Sequence, residues 1–186
     1  MKVVFIRHGE SDYLLCEDRG FIGHGRDLAP LSVLGVQQAE DASKDRNLCD
    51  CEVIVSSPYT RALQTAAIIS RNTGAKIDVE IDLHEWCPDK TYQYKTLEQF
   101  FEIHKDFVSC KGVYPNGDKR KWETINEIID RVIPVLDKYL ERGFNKIIVV
   151  AHGGIIRRFI GESNIKYCTP YEIDYNKEYQ CIEWID

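Results

Sequence analysis

The sequence has no hydrophobic run long enough to cross a membrane. Its apolar start, Val3 to Ile6, is four residues, too short even for the core of a signal peptide. No basic excess is present: 24 Lys and Arg against 30 Asp and Glu leave a net charge of −6. A general nucleic-acid binder carries the opposite balance, so neither nucleic acid nor membrane is an expected partner. Cysteine pairing signals are missing too. The seven cysteines are odd in number, and Cys49 and Cys51 form C-x-C but no C-x-x-C pair exists. That speaks against a zinc knuckle or a disulfide framework and predicts reduced thiols in a cytoplasmic protein. There is no low-complexity tract and no fixed-period repeat. No helical histidine pair at i, i+4 and no dense acidic cluster suggests a metal.

What is present is an ordinary globular composition, 44% hydrophobic and 29% charged, over 186 residues. This is enough for one domain with a substantial core. Two stretches share a design. Residues 2–10, KVVFIRHGE, and residues 146–154, KIIVVAHGG, each run apolar, then reach a histidine, then a glycine. Continuous apolar runs of this length suit strands buried on both faces of an α/β sheet. Ligands in open α/β sheets sit beyond the carboxyl ends of the strands, where His8 and His152 would fall. One such strand could simply end in solvated polar residues; two that bring a histidine to the same sheet edge predict a site.

Between them, residues 11–31 read as a loop crossing the strand end, with the charged group Gly25-Arg26-Asp27. Ser32 is a candidate cap for a helix to about residue 46, with Val33, Val36, Ala39, Glu40 and Ser43 near helical spacing. Residues 51–56 predict the second buried strand. Pro58 suits the first turn of a helix capped by Ser57, with Ala62, Leu63, Ala66 and Ile69 inward and Gly74 at its end. Residues 77–83 alternate Ile77, Val79, Ile81 and Leu83 with Asp78, Glu80 and Asp82, the period of a half-exposed strand at a sheet edge. Residues 86–121 are the least regular, with a short helix expected at 97–107. A long helix is predicted from about 123 to 142 and should be kinked or started at Pro134. A strand at 146–151, a helix at 154–161 and a final strand at 179–185 complete the expectation. Strands alternating with helices predict a largely parallel sheet covered on both faces.

Arg7, His8, Arg61 and His152 all fall at predicted strand ends or helix starts. Positive charge gathered in one place in an acidic protein predicts an anionic ligand. Arginine forks and a helix amino terminus at Gly153–Gly154 match a tetrahedral phosphate. Singly, Arg61 reads as a solvated helix residue and either histidine as a structural hydrogen-bonder; together they read as an anion site. A neutral imidazole can attack phosphorus and form a covalent intermediate, and the remaining groups would hold the equatorial oxygens. The leaving group then needs a proton. Glu85 follows the third predicted strand and precedes Trp86, which could desolvate it, but Asp82, Asp89 and Glu10 are rival acids from position alone. Other phosphate chemistries lack their signatures. No cysteine has an arginine six positions on, and residues 112–119, GVYPNGDK, carry Asp118 where a nucleotide P-loop needs lysine.

These residues resemble the histidine phosphatase (phosphoglycerate mutase-like) superfamily. The resemblance rests on Arg7-His8-Gly9-Glu10-Ser11, on Gly25-Arg26-Asp27 through Leu31-Ser32, Gly35 and Gln38-Ala39, and on Ser56-Ser57-Pro58. It continues through Thr60-Arg61-Ala62, Gln64-Thr65-Ala66, Leu83-x-Glu85, Arg131-Val132 and His152-Gly153-Gly154. It implies an α/β fold, a three-layer α/β/α sandwich with a mostly parallel mixed central sheet, and chemistry without metal or cofactor. It also implies His8 as the phosphorylated nucleophile, a phosphate pocket of Arg7, His8, Arg61, His152 and Gly153, and Glu85 as proton donor. Two positions depart from the family pattern: Leu14 stands where many members carry asparagine, and Trp122 stands in place of glycine in the usual Gly-Glu-Ser before the long helix.

The reading is a single domain, 1–186, with a substrate cap at about 86–121, hydrolysing a phosphomonoester of a small metabolite or a phosphoprotein. A phosphoglycerate-type mutase is the first rival, and a non-catalytic phosphate-ligand or phosphoprotein binding module is the second.

Overall fold

The computed structural model describes residues 1–21 and 23–185. Five strands form one sheet: β1 (Lys2–Arg7), β2 (Val53–Ser56), β3 (Lys76–Val79), β4 (Lys146–Ala151) and β5 (Pro170–Asp174), in the order β3-β2-β4-β1-β5. All neighbours pair in parallel except β5, which runs antiparallel to β1. The helices are α1 (Leu14–Glu17), α2 (Val33–Ala42), α3 (Thr60–Thr73), α4 (Leu97–Ser109), α5 (Ile125–Glu141) and α6 (Gly153–Ile160).

Period-two alternation divides the apolar strands between two cores. Val3 and Phe5 of β1, Val53 and Val55 of β2, and Ile147 and Val149 of β4 pack with α5 and α6 residues such as Ile128, Val132 and Ile156. Val4, Ile6, Ile54, Ile148 and Val150 face the other way, onto Ala62, Ala66 and Ile69 of α3. Both faces of the central strands are therefore dry, which is why their sequences are apolar without interruption. The α/β sandwich expected from the sequence is observed.

Several local expectations need correction. The last strand is not at residues 179–185; β5 lies at Pro170–Asp174 and takes the open edge of β1. Tyr171 and Ile173 pack on the core from it. Proline at its first position and the acidic Glu172 and Asp174 weaken its strand signal, but both are tolerated at an edge. Residues 179–185 instead pass along α6, where Ile182 N–H donates to Arg158 C=O at 2.7 Å. Strand β3 is at the edge as expected but ends at Val79, and Ile81–Leu83 form one turn of 3-10 helix. Helix α2 is capped by Ser32, whose oxygen accepts from Gly35 N–H at 2.9 Å, and it stops at Ala42. Its buried face is Gly35, Ala39 and Ala42, whereas Val33 and Val36 face solvent. Helix α5 does not start at Pro134 but contains it, and begins with a Thr124–Glu127 capping box. Glu123 precedes the helix, buried. Helix α3 begins at Thr60, with Tyr59 and not Ser57 at its N-cap.

Register places the strand ends level. Arg7 pairs with Ala151 and Ser56 with Val150, and His8 N–H donates to Ala151 C=O at 3.1 Å. His8, Ser57 and His152 therefore leave the same sheet edge side by side. The turn after β1 packs closely on α2: a Cβ on Gly9 would lie 2.4 Å from Gly35 C=O, and one on Gly35 would lie 2.0 Å from Glu10 C=O. Only glycine at both positions allows that approach.

Candidate active site

His8 is buried, and each ring nitrogen has a defined partner. Nδ1 donates to the Gly9 carbonyl at 2.7 Å, because a carbonyl can only accept. That puts the proton on Nδ1 and leaves the Nε2 lone pair free to accept from Arg61 Nε–H at 3.2 Å. Burial, then the Arg61 charge, lowers the His8 pKa to about 3, with a smaller contribution from Arg7, so the ring is neutral near pH 7. His152 lies beside it, ring centres 5.0 Å apart and edge-on, fully buried. Its Nε2 is 2.8 Å from Ser57 Oγ. Burial, His8 and Arg61 hold His152 well below the usual imidazole value.

The arginines are positioned from their backs. Arg7 donates to Ile165 C=O at 2.8 Å and lies 3.9 Å over the Tyr167 ring. Arg61, the second residue of α3, faces Asp27 at 3.6 Å and lies 5.0 Å over Tyr59. Around His8, the buried atoms Arg7 Nε, Arg61 Nη1 and His152 Nδ1 have no hydrogen-bond partner among the described residues. Buried polar groups are nearly always satisfied, so unpaired nitrogens grouped round one imidazole mark a place for an oxyanion.

Glu85 lies in the same cavity of about 870 Å³ as His8, Arg7 and Arg61. Its Oε1 accepts from Trp86 N–H at 2.7 Å and its Oε2 from Gly154 N–H at 3.3 Å. A Cβ on Gly154 would lie 2.3 Å from Glu85 Oε1, so the carboxylate sits against a helix start that only glycine leaves open. Arg131 of α5 fixes this turn. It donates to the main-chain oxygens of Asp82 and Glu85, and pairs with the buried Glu123 at 2.6 Å. Glu123 also accepts from Cys87 N–H at 3.0 Å.

The rival acids are elsewhere. Asp89 is buried but accepts from Thr91 N–H, Thr91 Oγ1 and Gln93 N–H at 2.9, 2.6 and 3.1 Å. Asp82 is exposed, and Glu10 accepts from Ser32 Oγ at 2.8 Å. None of the three lines the cavity with His8. Of the two departures from the family pattern, Leu14 is exposed and outside the cavity. Trp122 is buried, donates to Asp106 at 2.8 Å, and packs edge-on to Phe107 at 5.3 Å, tying α4 to the start of α5.

Several participants were not singled out by spacing. Ser57 braces His152, and Thr65 Oγ1 accepts from Gly9 N–H at 3.1 Å. Asp27 faces both Arg61 and His24, the latter at 3.4 Å. Burial opposes charge on His24, but Asp27 and the Cys87 thiol outweigh it and raise its pKa to about 9. Gly25-Arg26-Asp27 was visible as a charged group, but nothing local indicates that Asp27 turns toward residue 61.

The chain is similar to known proteins in sequence and in fold. The family model of the histidine phosphatase superfamily (branch 1) matches residues 3–167. An uncharacterized phosphatase, PhoE, of Bacillus subtilis is 30% identical over 161 residues, covering 86% of this chain and 76% of the relative. A 2,3-bisphosphoglycerate-dependent phosphoglycerate mutase of Methanococcus vannielii is 26% identical, covering 85% and 79%. Among solved structures, a mycobacterial glucosyl-3-phosphoglycerate phosphatase complexed with VO3 superposes with a TM-score of 0.71 at 19% identity, covering 98% and 95%.

Proposed function

Because this chain belongs to the histidine phosphatase superfamily, we propose that it is a metal-independent phosphomonoesterase working through a phosphohistidine on His8. The observation that carries the reading is the tautomer of His8. Its Nδ1–H is committed to Gly9 C=O, so the free lone pair is on Nε2, among the unpaired nitrogens of Arg7, Arg61 and His152. His8 Nε2 attacks phosphorus, an N–P bond forms, and the ester P–O bond breaks. The leaving oxygen takes the proton of Glu85. Water then attacks the phosphohistidine, Glu85 takes a proton from it, the N–P bond breaks, and neutral His8 returns. Arg7, Arg61, His152 and the Gly153 N–H hold the equatorial oxygens, where charge builds up. Burial first, then His8 and Arg61, keep His152 neutral, and the incoming dianion offsets the Arg61 charge, which favours proton uptake and donation by His152.

Hydrolysis is favoured over phosphoryl return by the cover. Residues 86–121 form the cap in this reading, and their helix α4 has no buried residue. Phe101 and Leu97 on it are 63% and 44% exposed, a cover loose enough to admit water to the intermediate. A non-catalytic binding role is disfavoured because binding phosphate does not call for a carboxyl aimed by two backbone amides. The substrate is a phosphorylated small molecule in this reading. Among the described residues no helix is long and apolar enough to cross a membrane. The test is to incubate the protein, in excess chelator, with 3-phosphoglycerate and a trace of 2,3-bisphosphoglycerate, following isomer exchange and free phosphate by phosphorus NMR. Phosphate release is expected to dominate. Isomer exchange outrunning it by a wide margin would overturn the assignment to a phosphatase, and no turnover until a metal is restored would overturn the metal-free mechanism.

A further inference from the structure

Helix α4 is amphipathic, yet none of its residues is buried. Its apolar members Leu97, Phe100, Phe101, Phe107 and Val108 line the cavity that holds His8. An apolar helix face that meets a cavity instead of a core lacks the burial that normally secures such a helix. Across from it stand Trp86, the neighbour of Glu85, and Trp184 from the chain's last segment. Trp86 lies 4.7 Å from Phe107 and 6.3 Å from Phe100, and Phe107 lies 5.8 Å from Trp184, centre to centre. His104 completes the wall, 5.8 Å from Trp86; partial loss of solvent against its neighbours, then the Arg157 charge, lower its pKa, which keeps the ring neutral. Glu85 and Trp86 are adjacent, so the aromatic compartment opens where the leaving group departs.

The same compartment has a cationic edge on α6. Arg157 and Arg158 line the cavity. Arg157 donates from Nε to Gly153 C=O at 3.2 Å. Arg158 is 3% exposed, donates to Glu183 C=O, and its buried Nε has no partner. Among the described residues neither has a carboxylate within ion-pair distance. The phosphoryl group is already matched by Arg7 and Arg61, and the Glu85 charge reaches Arg158, so it is the Arg157 charge that is left for another group.

Resting on the phosphatase reading, we propose that the substrate is a phosphomonoester of a large, flat-faced, preferably aromatic alcohol that carries a second anionic group. The ring stacks between α4 and Trp86, and the second anion meets Arg157 beside Arg158. Continuity with the phosphoryl site fixes the occupant: whatever ester places its phosphorus at His8 must send its alcohol past Glu85 into this compartment. Small polar alcohols leave the wall wet.

The test compares three alkyl esters of similar leaving-group basicity: ethyl phosphate, 2-phenylethyl phosphate and its para-carboxylate. Phosphate release should favour phenylethyl over ethyl phosphate in kcat/KM by roughly 10–100-fold, mostly through KM, as expected for filling an apolar pocket. The carboxylate should add about tenfold more. The double variant Leu97→Ser, Phe101→Ser alters the compartment wall; whatever it does to absolute turnover, the ratio of phenylethyl to ethyl phosphate kcat/KM should fall to about one. Arg157→Gln should erase only the carboxylate increment. Equal kcat/KM for ethyl and phenylethyl phosphate, with phosphate still released, would refute the compartment and leave the phosphatase reading standing. No carboxylate increment, or one that survives Arg157→Gln, would refute the anionic edge. Should no ester be hydrolysed, the phosphatase reading fails. Calorimetric binding of the matching phosphonates then decides the compartment separately, and equal affinity for all three would refute it.

Discussion

Gly154→Ala separates alignment of the general acid from stability of the fold. The new Cβ would lie 2.3 Å from Glu85 Oε1 and 3.2 Å from its Cδ, while ordinary contact begins at 3.4 Å. The carboxylate must therefore retreat by 3.4 − 2.3 = 1.1 Å, and Trp86, whose Cβ would be 3.5 Å away, stands close on the same side. A displacement of about 1 Å at a reacting group costs roughly 10²-fold in rate. The helix itself gains, since alanine is favoured over glycine in a helix by about 1 kcal/mol. Activity and stability should thus part company. We expect kcat on ethyl phosphate to fall about 100-fold, kcat on 4-nitrophenyl phosphate to fall only a few-fold because that leaving group barely needs the proton, and Tm to hold or rise. Steady-state phosphate release on both esters, with thermal unfolding by circular dichroism, reads all three. Equal losses on the two esters would mean that Glu85 is not the acid; loss of Tm would mean that the collision is relieved by moving α6 and not the carboxylate.

Three further outcomes follow from the same geometry. His8→Ala should abolish turnover and any acid-labile phosphoprotein trapped by quenched flow, whereas His152→Ala should keep some labelling; a labelled intermediate persisting without His8 would identify another nucleophile. Arg131→Met leaves the Glu123 carboxylate buried without its cation, a loss of about 3–5 kcal/mol that should lower Tm by roughly 10 °C, and an unchanged Tm would show that the pair does not secure the Glu85 turn. His8 has a pKa of about 3 folded against an ordinary 6.5, so between those values the unfolded chain binds a proton that the folded chain refuses. Stability is fully present above pH 6.5 and falls toward pH 3 by about 1.4 kcal/mol per unit. His8→Asn should flatten the urea midpoint's dependence on pH across that window, and an unaltered slope would refute a neutral, buried His8.

Sequence alone determined the parts whose information is local. Uninterrupted apolar runs at Val3–Ile6 and in β4 suit strands dry on both faces, and the abrupt histidine and glycine after each locate a sheet edge. Lys146–Ala151 was read with the bounds observed, and Gly74 ends α3 in the left-handed conformation expected of it. The group Arg7, His8, Arg61 and His152 was legible because each follows such a boundary. What the sequence could not contain is direction in space. Val33 and Val36 follow helical spacing yet face solvent, because α2 presses its small residues against the turn after β1. The edge of β1 was left to whichever later segment could reach it, and Pro170–Asp174 took it against a weaker propensity. By position alone Glu85 is barely favoured over its rivals Asp82, Asp89 and Glu10. Tertiary structure separates them, since Gly154 N–H, 69 residues along the chain from Glu85, joins the neighbouring Trp86 N–H at that carboxyl. The tautomer of His8 is decided in the same way. A single carbonyl, Gly9 C=O, occupies Nδ1, and its place depends on the packing of Gly9 against Gly35, a contact between backbones that no side-chain pattern records.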